Sequence, residues 1–426
     1  MIALGSALER RGHRIAFVSP LDAEAKVRRA AFEFIPVAAQ EFPQGEWERT
    51  TSQMGELTGF KASRFAGKWL ARFVRGILRD FPTIADREQF DGIVMDQVSL
   101  GTESVCAAMR APLAVACCAL MFHIESSVPA CNYSWSCGSS LGSRLRNTLG
   151  QLVVNSTGLP VALKLAPYRF RHKLSPMGFY FINELAPSLV QVSQQPAFFD
   201  FPRRRLPDHF HYTGPWLERA RSHSDFPWER LDGRPIIYAS LGTLQNRLEH
   251  AFRIIAEACA GLKAQLVLAL GNERASPPTN LPGNPVVVGY APQQELIRRA
   301  TLVIAHGGLN TTLETLSRGV PLIAIPITND QPGVAARIKY LGVGEFIPIK
   351  TLTTEKLRAA VVRLLSVPEY RERAKRCGEE IQRENGADHA AGLIETAFSR
   401  RQRVTRQTPC ATESEHASAL HPYSHH

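Results

Sequence analysis

At 426 residues the chain exceeds one ordinary hydrophobic core and suits two domains, each able to bury a substantial interior. Hydrophobic residues at 44% and charged residues at 21% exclude wholesale disorder and a membrane-spanning class. The net charge of +11 is spread along the chain and through Arg/Lys-rich helical stretches, which reads as a solvated surface rather than a nucleic-acid-binding one.

The strongest apolar run, 113–122, is about half of the roughly 20 residues a bilayer crossing needs. The first residues lack the basic flank and cleavage site of a secretory signal, so the expectation is a cytoplasmic α/β protein in which the sequons at Asn132 and Asn155 are chance matches. The eight cysteines, including Cys117, Cys118, Cys131 and Cys137, have no zinc-ligand spacing and read as reduced packing thiols; no metal or cofactor is expected.

Helical spacing of Ile2, Leu4, Ala7 and Leu8 predicts an opening helix that Gly12 ends, followed by a strand at 14–19. Alternation continues with a helix at 22–30, a strand at 32–37, a long helix within 62–79, a strand at 92–95, a helix at 102–109 and a buried strand at 113–117. Amphipathic packing accounts for 152–170. From Gln195 to Pro235 the pattern breaks into a Pro-, Arg- and aromatic-rich stretch, the best interdomain connection.

A second alternation follows: strand IIYAS, a helix at 248–260, strands QLVLAL, VVVGY and LVIA, a helix at 309–316 and strand LIAIP, then charge-alternating helices over 354–400. The division is a first domain at 1–215, a linker at 216–234, a second domain at 235–400 and a disordered tail at 401–426. Such alternation implies parallel sheets with helices on both faces, whose strand carboxyl ends carry the ligand site.

Two loops sit at such ends. In SLGT, Gly242 and Thr243 follow strand IIYAS, with a small residue and a hydroxyl where backbone can approach a phosphate; a tight turn explains the glycine equally well. In AHGGLNTTLE, strand LVIA runs into His306, Gly307 and Gly308 before a helix opens, and Asn310 and Thr311 add donors around the same point. Glu314 lies one turn beyond Asn310, where a carboxylate can accept from ribose hydroxyls, although capping explains Asn310 and exposure explains Glu314.

Taken together, YAPQQELI and AHGGLNTTLETLSRGVPLIAIPITNDQP resemble the donor-binding signature of UDP-dependent glycosyltransferases. The resemblance implies a GT-B fold, two Rossmann-like domains with parallel sheets facing a central cleft. It also implies transfer from a UDP-sugar, which is a co-substrate rather than a cofactor. By position, Tyr290 would stack on uracil and Gln293 lie near the ribose. Glu314 would bind ribose hydroxyls, and His306, Asn310, Thr311 and Thr243 would contact the diphosphate. Asp330 and Gln331 would hold hydroxyls of the transferred sugar. Leu309 stands where plant relatives carry tryptophan, which marks a bacterial-type variant. The segment QQPAFFDFPRRRLPDHFHYTGP is similar to the bacterial zeaxanthin glucosyltransferase branch, which implies a hydroxycarotenoid or another lipophilic alcohol as acceptor and peripheral contact with a membrane as a further candidate.

Transfer to a hydroxyl needs a base as the anomeric carbon is attacked. Relatives use a histidine oriented by an aspartate, and Asp96, ending the strand at 92–95, fits the aspartate; loop capping is its bland reading. The matching histidine loop would precede the segment MIALGSALERRGH, so the expectation is an incomplete first sheet lacking its first strand. His13, at the far end of the opening helix, is no substitute, whereas Phe122 and His123 are secondary candidates for the acceptor side. Three classes stay open: an active inverting, metal-independent hexosyltransferase using UDP-glucose, a nucleotide-sugar-binding protein with little transfer, and a nucleotide-sugar epimerase. The combined YAPQ, HGGLNTTLE and NDQ elements argue against the epimerase, and the lack of GxGxxG after the first strand against a dehydrogenase.

Overall fold

The computed structural model describes residues 1–57, 59–138, 140–175, 188–217, 226–242, 249–271 and 280–406. The first half runs α1 (Ile2–Arg10), β1 (Ala16–Ser19), α2 (Glu24–Arg29), β2 (Glu33–Pro36), α3 (Glu46–Glu56), α4 (Gly59–Glu88), β3 (Ile93–Asp96), α5 (Thr102–Met109), β4 (Leu113–Cys117), α6 (Leu141–Ser156), α7 (Leu159–Arg171), β5 (Val190–Ser193) and β6 (Phe210–Tyr212). Strands β3, β4, β5 and β6 pair in that order, all parallel, and β1 pairs with β2 in a separate parallel ribbon.

The second half runs β7 (Ile236–Ser240), α8 (Glu249–Cys259), β8 (Gln265–Ala269), β9 (Val286–Val288), α9 (Gln293–Arg299), β10 (Ala300–Ala305), α10 (Leu309–Ser317), β11 (Leu322–Ala324), α11 (Gln331–Leu341), β12 (Gly344–Phe346), α12 (Thr354–Ser366), α13 (Pro368–Arg383) and α14 (Gly386–Arg400). Its six strands form one parallel sheet in the order β12-β11-β10-β7-β8-β9.

Strands β4, β7, β8, β10 and β11 read as largely apolar runs because both faces of the two larger sheets are covered. Ile236, Tyr238, Val303 and Ala305 pack with α9, α10, α11 and α13, while Ile237, Ala239, Leu302 and Ile304 pack with α8 and α12. In the first half Leu113, Val115 and Cys117 face Phe73, Ile77 and Phe81 of α4, and Ala114 and Ala116 face Leu4 and Leu8 of α1 together with Ala391 and Ile394 of α14.

That last contact differs from the chain-order division, which groups residues up to 400 with the second domain. Helix α14 crosses back and its small-residue face of Ala390, Ala391 and Ala397 closes the first sheet. Residues opening the expected tail are also bonded, Val404 N–H to Leu189 O at 3.0 Å and Arg406 N–H to Asp208 O at 2.8 Å; residues 407–426 lie outside the described residues. The break at 195–235 contains β6, a sheet member rather than connection alone.

Candidate active site

Each parallel sheet delivers its loops at one edge, and the two edges meet. On the second-half side, β10 ends in Ala305 and the chain turns through His306 and Gly307, with Gly307 at φ +80°, into Gly308, the N-cap of α10. Among the described residues no side chain caps this helix and its first turn carries no acid, so its leading N–H groups and the positive end of its dipole are available to an anion. The imidazole of His306 lies between two glycines: a Cβ on Gly308 would sit 2.5 Å from Nε2, and one on Gly242, at φ +82°, 3.3 Å from Cε1. Burial pushes the His306 pKa below its usual value, opposed by a smaller contribution from the Ser240 backbone, so the ring meets a ligand as a neutral hydrogen-bonding group. Thr243 lies outside the described residues.

One turn into α10, Glu314 accepts a hydrogen bond from Gln293 Nε2 at 2.6 Å, and Gln293 Oε1 accepts from the Tyr238 hydroxyl at 3.5 Å. The structure thus brings Gln293 and Glu314 together from 21 residues apart. Tyr290, just before α9, exposes 56% of its surface, an unusual position for a large ring and one from which it can offer a face to a planar base.

Across the cleft, the first-half loops after β4 and β5 meet the starts of α10 and α11. Gln194 donates from Nε2 to Asn310 Oδ1 at 2.6 Å and also to the Cys118 carbonyl. Leu120 N–H donates to Asp330 Oδ2 at 3.0 Å, and Gly333 N–H to Cys131 O at 3.0 Å. Burial raises the pKa of Asp330 above the usual carboxylate value, with the Leu120 N–H opposing it. Gln331 is buried and its Oε1 accepts from Ile327 and Thr328 N–H at 2.8 and 3.0 Å, so that oxygen holds the loop and only the amide nitrogen remains for a ligand.

Asp96 ends β3 on this side, where its Oδ1 accepts from Val98 N–H at 3.0 Å. Beside it lies Cys118, whose thiol pKa is raised by burial first and by Asp96 next, and whose Sγ accepts from the Met1 amino group at 3.9 Å. The positive end of α1 and the carboxylate of Asp96 therefore converge on the end of β4. His13 lies away from this point and pairs with Glu395 at 3.4 Å on an exposed face. His123 is turned into the 200–206 segment: its Nε2 bonds the Arg205 carbonyl and its own carbonyl accepts from Arg203 Nη1 at 3.0 Å. Phe122 beside it is exposed.

Sequence reasoning missed Gln194 and a buried cluster that locks the two halves. The Asp200 carboxylate accepts from Arg337 Nη2 at 2.6 Å, Arg203 Nε at 2.6 Å and the Tyr212 hydroxyl at 2.8 Å, with Arg337 stacked over Phe201 at 4.5 Å. Burial alone would raise the Asp200 pKa, but Arg203 and Arg337 outweigh it and hold the group ionised. No spacing signal joins residues 137 positions apart. Among the described residues no cluster of three His, Cys, Asp or Glu could hold a metal ion, and no helix is long and apolar enough to cross a membrane.

Comparison with known proteins bears on this arrangement. The sequence profile of the family described as UDP-glucoronosyl and UDP-glucosyl transferase matches residues 75–382. A zeaxanthin glucosyltransferase of Pantoea ananas is 29% identical over 413 residues, covering 96% of this chain and 95% of the relative. One of Pseudescherichia vulneris is 27% identical over 93% of this chain and 94% of the relative. Among solved structures, a calicheamicin glycosyltransferase superposes with a TM-score of 0.71 at 21% identity over 94% of each chain, and a kitacinnamycin glycotransferase with 0.71 at 23% over 93% and 95%. The shared architecture is GT-B.

Proposed function

Because the chain belongs to the UDP-glucoronosyl and UDP-glucosyl transferase family and is a glycosyltransferase using UDP-sugar donors, we propose that it moves a hexosyl group, glucose from UDP-glucose, to a hydroxyl of a lipophilic small molecule such as a hydroxycarotenoid. The observation carrying this reading is the uncapped start of α10 within one turn of the Gln293–Glu314 pair. An anion cradle and a diol acceptor on one short helix suit a nucleoside diphosphate.

In this reading Tyr290 stacks on uracil and Glu314, held by Gln293, accepts from the ribose hydroxyls. The α10 N–H groups with His306, Asn310, Thr311 and Thr243 take the diphosphate, with Gly242 and Gly308 admitting it. Asp330 and the Gln331 amide hold sugar hydroxyls. Asp96 is assigned to orient a general base, a role in which neither His13 nor His123 is placed, and that base takes the acceptor proton as the acceptor oxygen bonds to the anomeric carbon. The bond to the diphosphate oxygen breaks on the opposite face, its electron pair leaves with UDP, and the configuration inverts. Developing negative charge on UDP falls on the helix start, so the step is metal-independent. The acceptor class rests on the names of the zeaxanthin glucosyltransferase relatives. Peripheral contact with a membrane surface belongs to the same reading.

The test is turnover of UDP-glucose with a panel of lipophilic alcohols including hydroxycarotenoids, the product anomer read by NMR. A β-glucoside from the α-donor, formed equally with and without EDTA, is expected. Retention of configuration, or loss of turnover in EDTA restored by magnesium, overturns the mechanism. UDP binding with no turnover on any acceptor would favour the nucleotide-sugar-binding reading.

A further inference from the structure

Helix α6 is built inside out. Its buried residues are Asn147, Gly150 and Gln151, whereas Leu141, Leu145, Leu149 and Leu152, which share a face at spacings of four, four and three, are each more than half exposed. The buried polar face has a specific task. Gln151 Nε2 donates to the carbonyls of Glu125 and Val128, both at 2.9 Å, and Asn147 Nδ2 to that of Ser126 at 3.1 Å. Helix α7 continues the outward apolar face with Leu159, Leu163 and Phe170, the last 88% exposed. Amphipathic packing was the expectation for 152–170; the periodicity is there, but much of the apolar face of the α6–α7 pair points to solvent, the reverse of a surface helix in a soluble domain.

The charge carried by α6 and α7 themselves has one sign. Residues 126–175 contain no Asp or Glu, and Lys164, Arg171 and Lys173 are exposed, with no ion pair among the described residues. Residues 57–79 also lack acids; α4 packs on α7 through Val74 with Val161 and Leu165, and carries exposed Lys61, Arg64 and Lys68. A second copy meeting this face through a two-fold axis would set like charges against each other. Phospholipid headgroups of negative charge complement the cations while the leucines and Phe170 enter the acyl boundary.

We propose that the α6–α7 face docks on an anionic phospholipid membrane. Through Gln151 and Asn147 the docked helix holds the 125–128 loop, which is continuous in sequence with Leu120 and Cys131, the residues bonded to Asp330 and Gly333 at the cleft. The acceptor side of the cleft is thereby tied to the bilayer surface. The proposal stands on the helix face alone and holds whichever acceptor is used.

The full chain is sedimented with phosphatidylcholine vesicles and with vesicles that also contain phosphatidylglycerol, at low and high salt, and UDP binding is titrated in the same samples as the control on fold and donor site. Wild-type protein should partition on the order of tenfold more into the anionic vesicles, with the excess lost at high salt. Leu145→Ser/Leu163→Ser/Phe170→Ser should weaken partition tenfold or more, and Lys164→Glu/Lys173→Glu should abolish the preference for anionic lipid, UDP affinity unchanged in both. Three results would each overturn the proposal: no sedimentation of wild type with anionic vesicles, equal partition of wild type and variants that still bind UDP, or a wild-type dimer that the triple variant dissociates.

Discussion

Gly308 makes room for the His306 imidazole: a methyl group on its Cα would lie 2.5 Å from Nε2, although its backbone, at φ −65° and ψ 139°, is one alanine adopts freely. Gly308→Ala therefore acts by displacing the ring or the first turn of α10, not by backbone strain. Its UDP affinity should fall tenfold or more, about 1.4 kcal/mol, with little change in melting temperature. A double-mutant cycle with His306→Ala isolates the contact, because the smaller side chain at 306 should remove most of the added cost. Strict additivity by calorimetry would show that the glycine serves something other than the ring.

The Gln293–Glu314 hydrogen bond at 2.6 Å orients the carboxylate that lies one turn into α10. Glu314→Ala should weaken UDP by about 1 to 3 kcal/mol, the range of a charge-assisted hydrogen bond to a buried partner. The same variant should bind UDP and its 2′,3′-dideoxy analogue with similar affinity, whereas wild type prefers UDP. A preserved preference would remove Glu314 from the ribose.

The strand end and helix start at His306 to Glu314 were legible because their signals are local: glycines after a strand, a helix start and a carboxylate one turn later fall within that segment. What escaped was set by distant contacts. Strand β5, Val190–Ser193, is buried throughout despite Gln191 and Ser193, so it carries no apolar run to read. Strand β6 hides in a stretch that its prolines and arginines mark as loop. Gln194 becomes a site residue only when β5 is set beside β4, and the burial of α14 against the first sheet depends on a return crossing that no periodicity encodes.

Arg337 and Asp200 join the two halves where neither side chain is more than 2% exposed. Arg337→Ala leaves Asp200 with Arg203 and the Tyr212 hydroxyl but removes the link between halves, and breaking one partner of a buried pair costs about 3 to 5 kcal/mol. Urea unfolding should report that loss, and turnover should fall further than UDP affinity, because the residues proposed to bind UDP all sit on one half. A loss below about 1 kcal/mol would show that the pair is not what holds the halves in register.

Glu384 sits at the second crossing between halves, its Oε2 buried against Gly214 with no hydrogen-bond partner among the described residues, and burial, aided by Glu380, pushes its carboxyl up from 4.5 to about 7. The folded state thus holds a proton that the unfolded chain releases. Stability from this group is complete below the unfolded value and is lost as pH rises toward about 7, a change on the order of 3 kcal/mol at about 1.4 kcal/mol per unit. Glu384→Gln should leave stability near pH 4.5 unchanged and raise it at pH 8. Parallel pH dependence in variant and wild type would assign the loss to another group.

Asp96 separates two roles that share one carboxylate. Its Oδ1 accepts from Val98 N–H at 3.0 Å, a loop bond that asparagine can preserve, while its charge faces the end of β4 where Cys118 and the Met1 amino group meet. If the charge orients a general base and stabilises its protonated form, Asp96→Asn should keep fold and UDP affinity and lose turnover by about 10²- to 10⁴-fold, roughly 3 to 5 kcal/mol of barrier. The pH profile gives a readout that a loop role would not move: the acidic limb of kcat/KM should shift to lower pH in the variant, because a base without its carboxylate partner protonates less readily. Asp96→Ala should add a stability loss from the broken Val98 bond without slowing turnover much beyond Asp96→Asn. Full turnover with an unshifted limb in Asp96→Asn would reduce Asp96 to a loop cap and place orientation of the base elsewhere in the cleft.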